Sequence, residues 1–522
     1  MLQRADVSMP VLPADIDTAL AQPGWRRNLR WPVSLAQTNA ICEQQVRDAL
    51  GFAGALDDPL MRDAVLLALP NALAYGRAIV LAALAVGRAE QDGFGIAGAA
   101  AELQYLQTGE GPLPARAEST LPSASFGLTF ARRLARMRSW TPLSRMPRAM
   151  LAPGAVAISH NPLLRDVAGR ERRGVGFHHA ETILGTARLN STESHDVADM
   201  SRALAVLIVD AASLDAPYRE RAMRLVGAVV LAHLGKAARD MAALRLASLP
   251  KDIWTGSGGL HAPRAIGLEV LRRGGHVRRF DHGTPREFVA TAGMTELLEL
   301  SVSSEFTLPT EDAAAICRRE MMKRASAVQI TGGTGDPVFR RVPPRRPSKP
   351  RAGKPRVVYA PTQLLGFRQL VPALPPDPVH LDWQMRVAEF LNTLPVDFVC
   401  QAHPEGLFGG RPHPLEALVP VRRGNFQVQL AEADVFVFDY PTTTALWEAC
   451  CTDAQIVYLD MGAGRMTPQI ARLFAQRATI LPVSHDDDHR MQLDEHALRD
   501  AILAKACPAD PSAFRCLLAG TA

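Results

Sequence analysis

Residues 434–460 read DVFVFDYPTTTALWEACCTDAQIVYLD, and that order predicts a strand, a threonine-rich turn, a helix and a second strand. Val435, Phe436, Val437 and Phe438 form a short apolar run of the kind buried in a parallel sheet, and Asp439, Tyr440 and Pro441 break it. A helix is expected to start near Thr442. The first N–H groups of a helix lack intrahelical partners and lie at the positive end of its dipole, so Thr442, Thr443 and Thr444 suit a phosphate there. The competing reading is that one threonine caps the helix. A capping box needs Ser or Thr three residues before Glu or Gln, and Ala445 is what stands three before Glu448. Glu448 lies four after Thr444, on the same helical face.

A second motif, QAHPEG at 401–406, follows DFVCQ, another apolar run suited to a buried strand. His403 should therefore sit where the strand ends and the chain turns at Pro404. Ligands of open parallel sheets bind beyond the carboxyl ends of strands. An imidazole there can donate a hydrogen bond to a phosphate oxygen without burying a permanent cation. His403 and Thr442–Thr444 are expected to converge on one anion at the edge of the sheet.

These two segments resemble bacterial transferases of the GT-B architecture that build surface polysaccharides from cytidine-activated donors. That group includes CDP-glycerol glycerophosphotransferases and the capsule or lipopolysaccharide transferases that use CMP-linked 3-deoxy-2-keto sugars such as Kdo and sialic acid. In it, a His-Pro motif and a Ser/Ser or Ser/Thr pair after a strand hold the donor nucleotide. The matching residues here are His403 with Pro404, and Thr442–Thr444, with threonines where serines are usual.

A third segment, RRFDHGTPREF at 278–288, fits the same group. In the glycerophosphotransferases a His-Gly-Thr-Pro sequence lies at the catalytic centre, which the resemblance carries onto His282, Gly283, Thr284 and Pro285. Those enzymes continue with Leu-Lys, whereas this chain has Arg286 and Glu287. The departure shifts the expected donor from CDP-glycerol to a CMP-linked 3-deoxy-2-keto sugar. His282 also suits catalysis on chemical grounds, because transfer to a hydroxyl needs a base and imidazole titrates near neutrality. Asp281 adjoins it, but neighbours on an extended strand point to opposite faces, so it is not taken as the orienting partner. Asp439 is another candidate carboxylate, with an Asx turn as the alternative.

Composition agrees with a large enzyme of two or three domains: 522 residues, 47% hydrophobic and 21% charged. Seven cysteines are scattered without metal-ligand spacing, which argues for a reducing cytosol and against structural zinc, so no metal and no cofactor besides the nucleotide donor is expected. The amino terminus has no continuous apolar core and does not look like a secretory signal. AIVLAALAV at 78–86 is too short to cross a bilayer and reads as a buried helix.

The net charge of +5 is unevenly spread, with RRVPPRRPSKPRAGKPR at 340–356 concentrating arginine, lysine and proline. Prolines there predict an exposed linker. A sharper reading is peripheral contact with an anionic membrane, each clustered basic residue contributing roughly 1 kcal/mol. Nucleic acid is not an expected partner, since the run lacks interleaved aromatics. The linker separates an α/β amino-terminal half from a carboxyl-terminal half whose strands RVVYAP, DFVCQ, DVFVFD and QIVYLD alternate with helices, as in a doubly wound parallel sheet.

The expected organisation is a helical extension over 1–90, an acceptor-side Rossmann-like domain over 91–339, the linker at 340–355, and a donor-binding Rossmann-like domain over 356–522. Upstream strand candidates are AVAIS, DIWTG, HVRRF and AVQITGG, with long helices over 197–245. The resemblance implies a GT-B transferase with its reaction in the cleft: His282 as base, and His403, Thr442–Thr444 and Thr362 on the donor phosphate. Glu448 would accept two hydrogen bonds from the ribose diol. Asp281, Thr284, His160 and Asn161 fall on the acceptor side, although turn chemistry explains Asn-Pro equally well. His178 and His179 before a helix, and GGTG at 332–335, read as capping and turn features. The acceptor would be a glycan or lipid-linked polymer and the location cytoplasmic, with peripheral contact at the inner membrane face. A glycerophosphotransferase, a hydrolysing nucleotide-sugar epimerase and a non-catalytic scaffold are the alternatives.

Overall fold

The computed structural model describes residues 10–521 except 28, 112, 114–133, 190–195, 257, 284–285, 292, 322–326, 344–352 and 505–508. Two parallel six-stranded sheets organise the chain. The first holds β1 (Ala155–Ala157), β2 (Val175–Phe177), β3 (Asp252–Thr255), β4 (His276–Phe280), β5 (Glu305–Leu308) and β6 (Gln329–Gly332), in the order β2-β1-β3-β4-β5-β6. The second holds β7 (Arg356–Tyr359), β8 (Asp397–Gln401), β9 (Val421–Arg422), β10 (Val435–Phe438), β11 (Gln455–Asp460) and β12 (Thr479–Pro482), in the order β9-β8-β7-β10-β11-β12. Both orders reverse once, as doubly wound sheets do, at β1/β3 and at β7/β10.

The strands are apolar on both faces because both are covered. In the second sheet Val357, Tyr359, Val435, Val437 and Val457 enter one core. Their neighbours Val358, Phe436, Phe438, Ile456 and Tyr458 enter the other. The first sheet divides likewise, with Ile253 and Val277 on one side and Trp254 and Phe280 on the other. Full burial of such a side chain stabilises by about 1.5–3 kcal/mol.

The helices Leu35–Gly54, Pro59–Gln91, Ala198–Asp210 and Ala216–Arg245 pack together over one face of the first sheet. The 78–86 run lies in the second of these, as a buried helix, but the length expectation is corrected. Pro59–Gln91 has 33 residues and is long and apolar enough to cross a membrane. Here its Ile79, Val80, Ala83 and Leu84 are buried in the helical layer. Buried Arg264 ties this layer to the first sheet by donating to the carbonyls of Leu66 (2.8 Å) and Leu298 (3.1 Å). Arg26 ties the amino-terminal segment to the second half through Asp382 (3.1 Å) and Glu389 (2.7 Å).

The chain returns to the first half at its last helix, Ser512–Ala519. Leu518 accepts from the Asp336 N–H at 2.8 Å and Leu517 from the Thr310 hydroxyl at 2.6 Å. The basic linker falls largely outside the described residues. Its start is not exposed throughout, since Val342 is buried against Phe339 and Phe514 in one core.

Candidate functional site at the facing carboxyl edges

The carboxyl edge of the second sheet is fixed by Asp439, the residue after β10. Its Oδ2 accepts from the Tyr359 hydroxyl at 2.5 Å and from the Trp383 indole at 3.3 Å. Burial pushes this carboxyl up to about 6, against the pull of the Tyr359, Thr362 and Trp383 donors. Asp439 therefore clamps β7 to β10 across the point where strand order reverses. Thr362 lies buried in the turn after β7, its carbonyl accepting from Gln384 Nε2 at 2.9 Å.

The helix after β10 begins at Thr444, two residues later than the sequence suggests, and runs to Cys450. Thr443 is its cap residue, yet its side chain makes no capping hydrogen bond. The capping explanation for that hydroxyl is thus not realised. The turn is held from behind, where buried Trp447 donates to the Pro441 carbonyl at 3.1 Å. Glu448, one turn in, is buried and accepts from Gln427 Nε2 at 3.1 Å. Burial raises its carboxyl to about 7, with a further push from Asp336.

His403 follows β8 on the same edge. Its Nδ1 accepts from the Glu405 N–H at 3.1 Å, so the neutral ring carries its proton on Nε2. Burial lowers its pKa and favours that neutral form. Residues Cys400, Tyr359 and Val437 lie level across β8, β7 and β10. The strands that lead into His403 and the threonines, β8 and β10, thus flank β7, two strand spacings or on the order of 10 Å apart.

The first sheet presents its own carboxyl edge. Asn161 caps the helix Pro162–Arg170 through the Leu164 N–H at 2.8 Å. Its amide donates to the carbonyls of Gly256 (2.8 Å), Phe280 (3.0 Å) and Asp281 (2.8 Å). The Asn161 side chain thereby joins β1, β3 and β4, and turn chemistry accounts for it without an acceptor contact. A Cβ on Gly256 would come within 2.4 Å of the His160 backbone, so only glycine lets β3 approach so closely. His160 is half-buried, and burial with Arg136 and Arg165 nearby lowers its pKa to about 4.

After β4, Asp281 is buried while His282 is exposed, the opposite facing expected of neighbours on an extended chain. Thr284 and Pro285 lie outside the described residues. Gly283 has φ of +87°, a conformation that favours glycine, and a Cβ built there would lie 3.8 Å from Thr444 Cγ2. Gly283 of one half thus meets the threonine turn of the other. Phe288 packs edge-on to Trp447 at 5.1 Å, and Val289–Ala290 pairs antiparallel with Arg465–Met466. One chain of contacts, Phe288 to Trp447 to Pro441, therefore links the two motifs.

Among the described residues no group of three or more His, Cys, Asp or Glu side chains has the geometry to hold a metal. No family model and no curated protein matches this chain.

Proposed function

We propose that the chain is a GT-B-type glycosyltransferase that moves a sugar from a CMP donor, a 3-deoxy-2-keto sugar, to a glycan or other surface-polymer acceptor. The observation that carries this reading is the meeting of Gly283 with Thr444, where the carboxyl edges of two doubly wound sheets face each other. Such edges are where α/β folds bind ligands.

In this reading exposed His282 removes the acceptor proton as the new glycosidic bond forms. Thr443 and its neighbours, with Thr362, receive the donor phosphate, and the Nε2–H of His403 donates to another part of the nucleotide. Glu448, once ionised, accepts from the ribose hydroxyls. Nucleotide donors place the reaction in the cytoplasm, at the inner face of the membrane if the acceptor is lipid-linked. CDP-glycerol remains the second reading because it is the donor associated with a His-Gly-Thr-Pro segment.

Thermal shift with CMP, CDP, UDP and GDP tests the donor class, since a ligand that binds only the native state raises the melting temperature. Cytidine nucleotides are expected to stabilise the wild type, and His403→Ala to weaken that response. Stabilisation by UDP alone rejects the cytidine assignment, and silence toward every nucleotide rejects the transferase. With labelled donors, His282→Ala is expected to lower turnover by about 10²- to 10⁴-fold while leaving CMP binding intact.

A further inference from the structure

The first sheet ends at the edge strand β2, and residues 134–151 pack against it. The Trp140 indole donates to the Val175 carbonyl at 3.2 Å, and Met146 and Ala149 are buried in one core with Val175 and Phe177. These inward contacts fix which side chains face out. The 3₁₀ turn Leu143–Arg145 runs directly into the helix Met146–Leu151. Residues 143, 147 and 151 recur every four along that run, so they share one side of it over about 12 Å. Leu143 is 72% exposed and Leu151 86%, with exposed Pro147 between them.

The same surface is basic. Residues 134–165 include five arginines and no aspartate, glutamate or lysine. Arg138, Arg145 and Arg148 are exposed, and so are Arg172 and Arg173 in the turn that follows the helix Pro162–Arg170. That turn is adjacent: Arg145 Nη1 donates to the Glu171 carbonyl at 3.4 Å, and a Cβ on Gly154 would fall 2.6 Å from Arg173 Cβ. Among the described residues no carboxylate forms an ion pair with any of these five exposed arginines. Glu171, their neighbour in sequence, accepts instead from the Arg173 N–H at 3.1 Å. By contrast, exposed Arg202 pairs with Asp199 at 3.1 Å, Arg219 with Asp210 at 2.8 Å and Arg423 with Glu416 at 2.6 Å.

A lone exposed leucine is ordinary on a protein surface. Two of them on one short helical run, beside unpaired arginines, match a helix that lies in the headgroup layer with its apolar side toward the acyl chains. A nucleic acid would satisfy the arginines but leave both leucines in water, and a second copy of this chain would bring like charges together. We propose that this face, residues 138–151 with Arg172 and Arg173, docks on an anionic lipid bilayer, Leu143 and Leu151 entering it and the arginines meeting the headgroups. The membrane-contact surface is then the outer edge of the first sheet and not the basic run at 340–356. Docking of this kind does not require the transferase reading, since it uses neither His282 nor the threonine turn.

The full chain is sedimented with vesicles of equal parts phosphatidylcholine and phosphatidylglycerol, and with vesicles of phosphatidylcholine alone. Binding to the anionic vesicles only, weakened by added salt, is expected. Leu143→Ser with Leu151→Ser should weaken it about 10-fold. Arg138→Gln with Arg145→Gln and Arg148→Gln should weaken it about 100-fold. Melting temperatures should hold in both variants, because all five side chains are exposed. Arg345→Gln with Arg346→Gln and Lys349→Gln, in the basic run, should still bind. Absence of binding to anionic vesicles overturns the proposal, and so does loss in the basic-run variant with retention in the other two. A loss on removing the arginines with none on removing the leucines assigns the face to an acidic macromolecule, which overturns it as well.

Discussion

The two sheets solve the same problem with opposite chemistry. Each must hold two strands together where their order reverses, because there the connecting helices depart to opposite faces and leave the edge open. The second sheet uses a carboxylate, Asp439, which accepts from Tyr359 and Trp383 and carries a pKa raised by burial. The first uses an amide, Asn161, which donates to three carbonyls and has no charge to desolvate. One clamp depends on proton concentration and the other does not. Of the two clamps, the one in the half assigned to the donor is therefore the pH-sensitive one.

The largest expected effect comes from breaking the neutral clamp. Gly256→Val places a side chain where the His160 backbone already lies, and should destabilise the protein by about 3 kcal/mol or more in urea unfolding. A smaller loss would mean that β1 and β3 can separate without consequence. Asp439→Ala leaves a buried hydroxyl and a buried indole N–H without their acceptor, at about 1–3 kcal/mol in the same measurement.

The charged clamp also has a signature in pH. Because the folded carboxyl of Asp439 sits at about 6, above its ordinary 3.8, the native state binds the extra proton between those values. Its contribution is thus fully present at low pH and is lost as pH rises toward about 6. Asp439→Asn should remove one proton's worth of that slope, whereas Asn161→Asp should add pH dependence where none existed. Identical slopes in wild type and Asp439→Asn would break the comparison. The mildest effect concerns Glu448, whose carboxyl is raised to about 7. If its ionised form receives the ribose, CMP affinity should climb between pH 6 and 8, and Glu448→Gln should flatten the rise.

Legibility in the sequence followed the same division. β7, β8, β10 and β11 could be read because each is a run of apolar residues ended by a turn. β5 was missed: EFTL carries Glu305 and Thr307, and the structure accounts for them through Arg278, which pairs with Glu305 at 3.1 Å and donates to Thr307 at 2.9 Å. β2 was missed because Gly176 interrupts a segment of three residues, and β12 because it ends in Pro482.

At the site, the approach of Gly283 to the threonine turn goes with Phe288 packing on Trp447, a long-range contact with no local signal. Asn161 was visible as a turn residue, but not its hold on β3 and β4.

The last helix has a consequence for motion. Ser512–Ala519 follows the second sheet in sequence, yet its Leu517 and Leu518 carbonyls are bonded to Thr310 and Asp336 of the first. The polypeptide accordingly passes between the halves after Val342 and again before Ser512, besides the amino-terminal segment whose Ile16, Leu29 and Leu35 lie in the second half's core. Cutting the chain between residues 503 and 512 would remove one covalent tether on relative motion of the halves and leave this helix held by its packing and by those two hydrogen bonds.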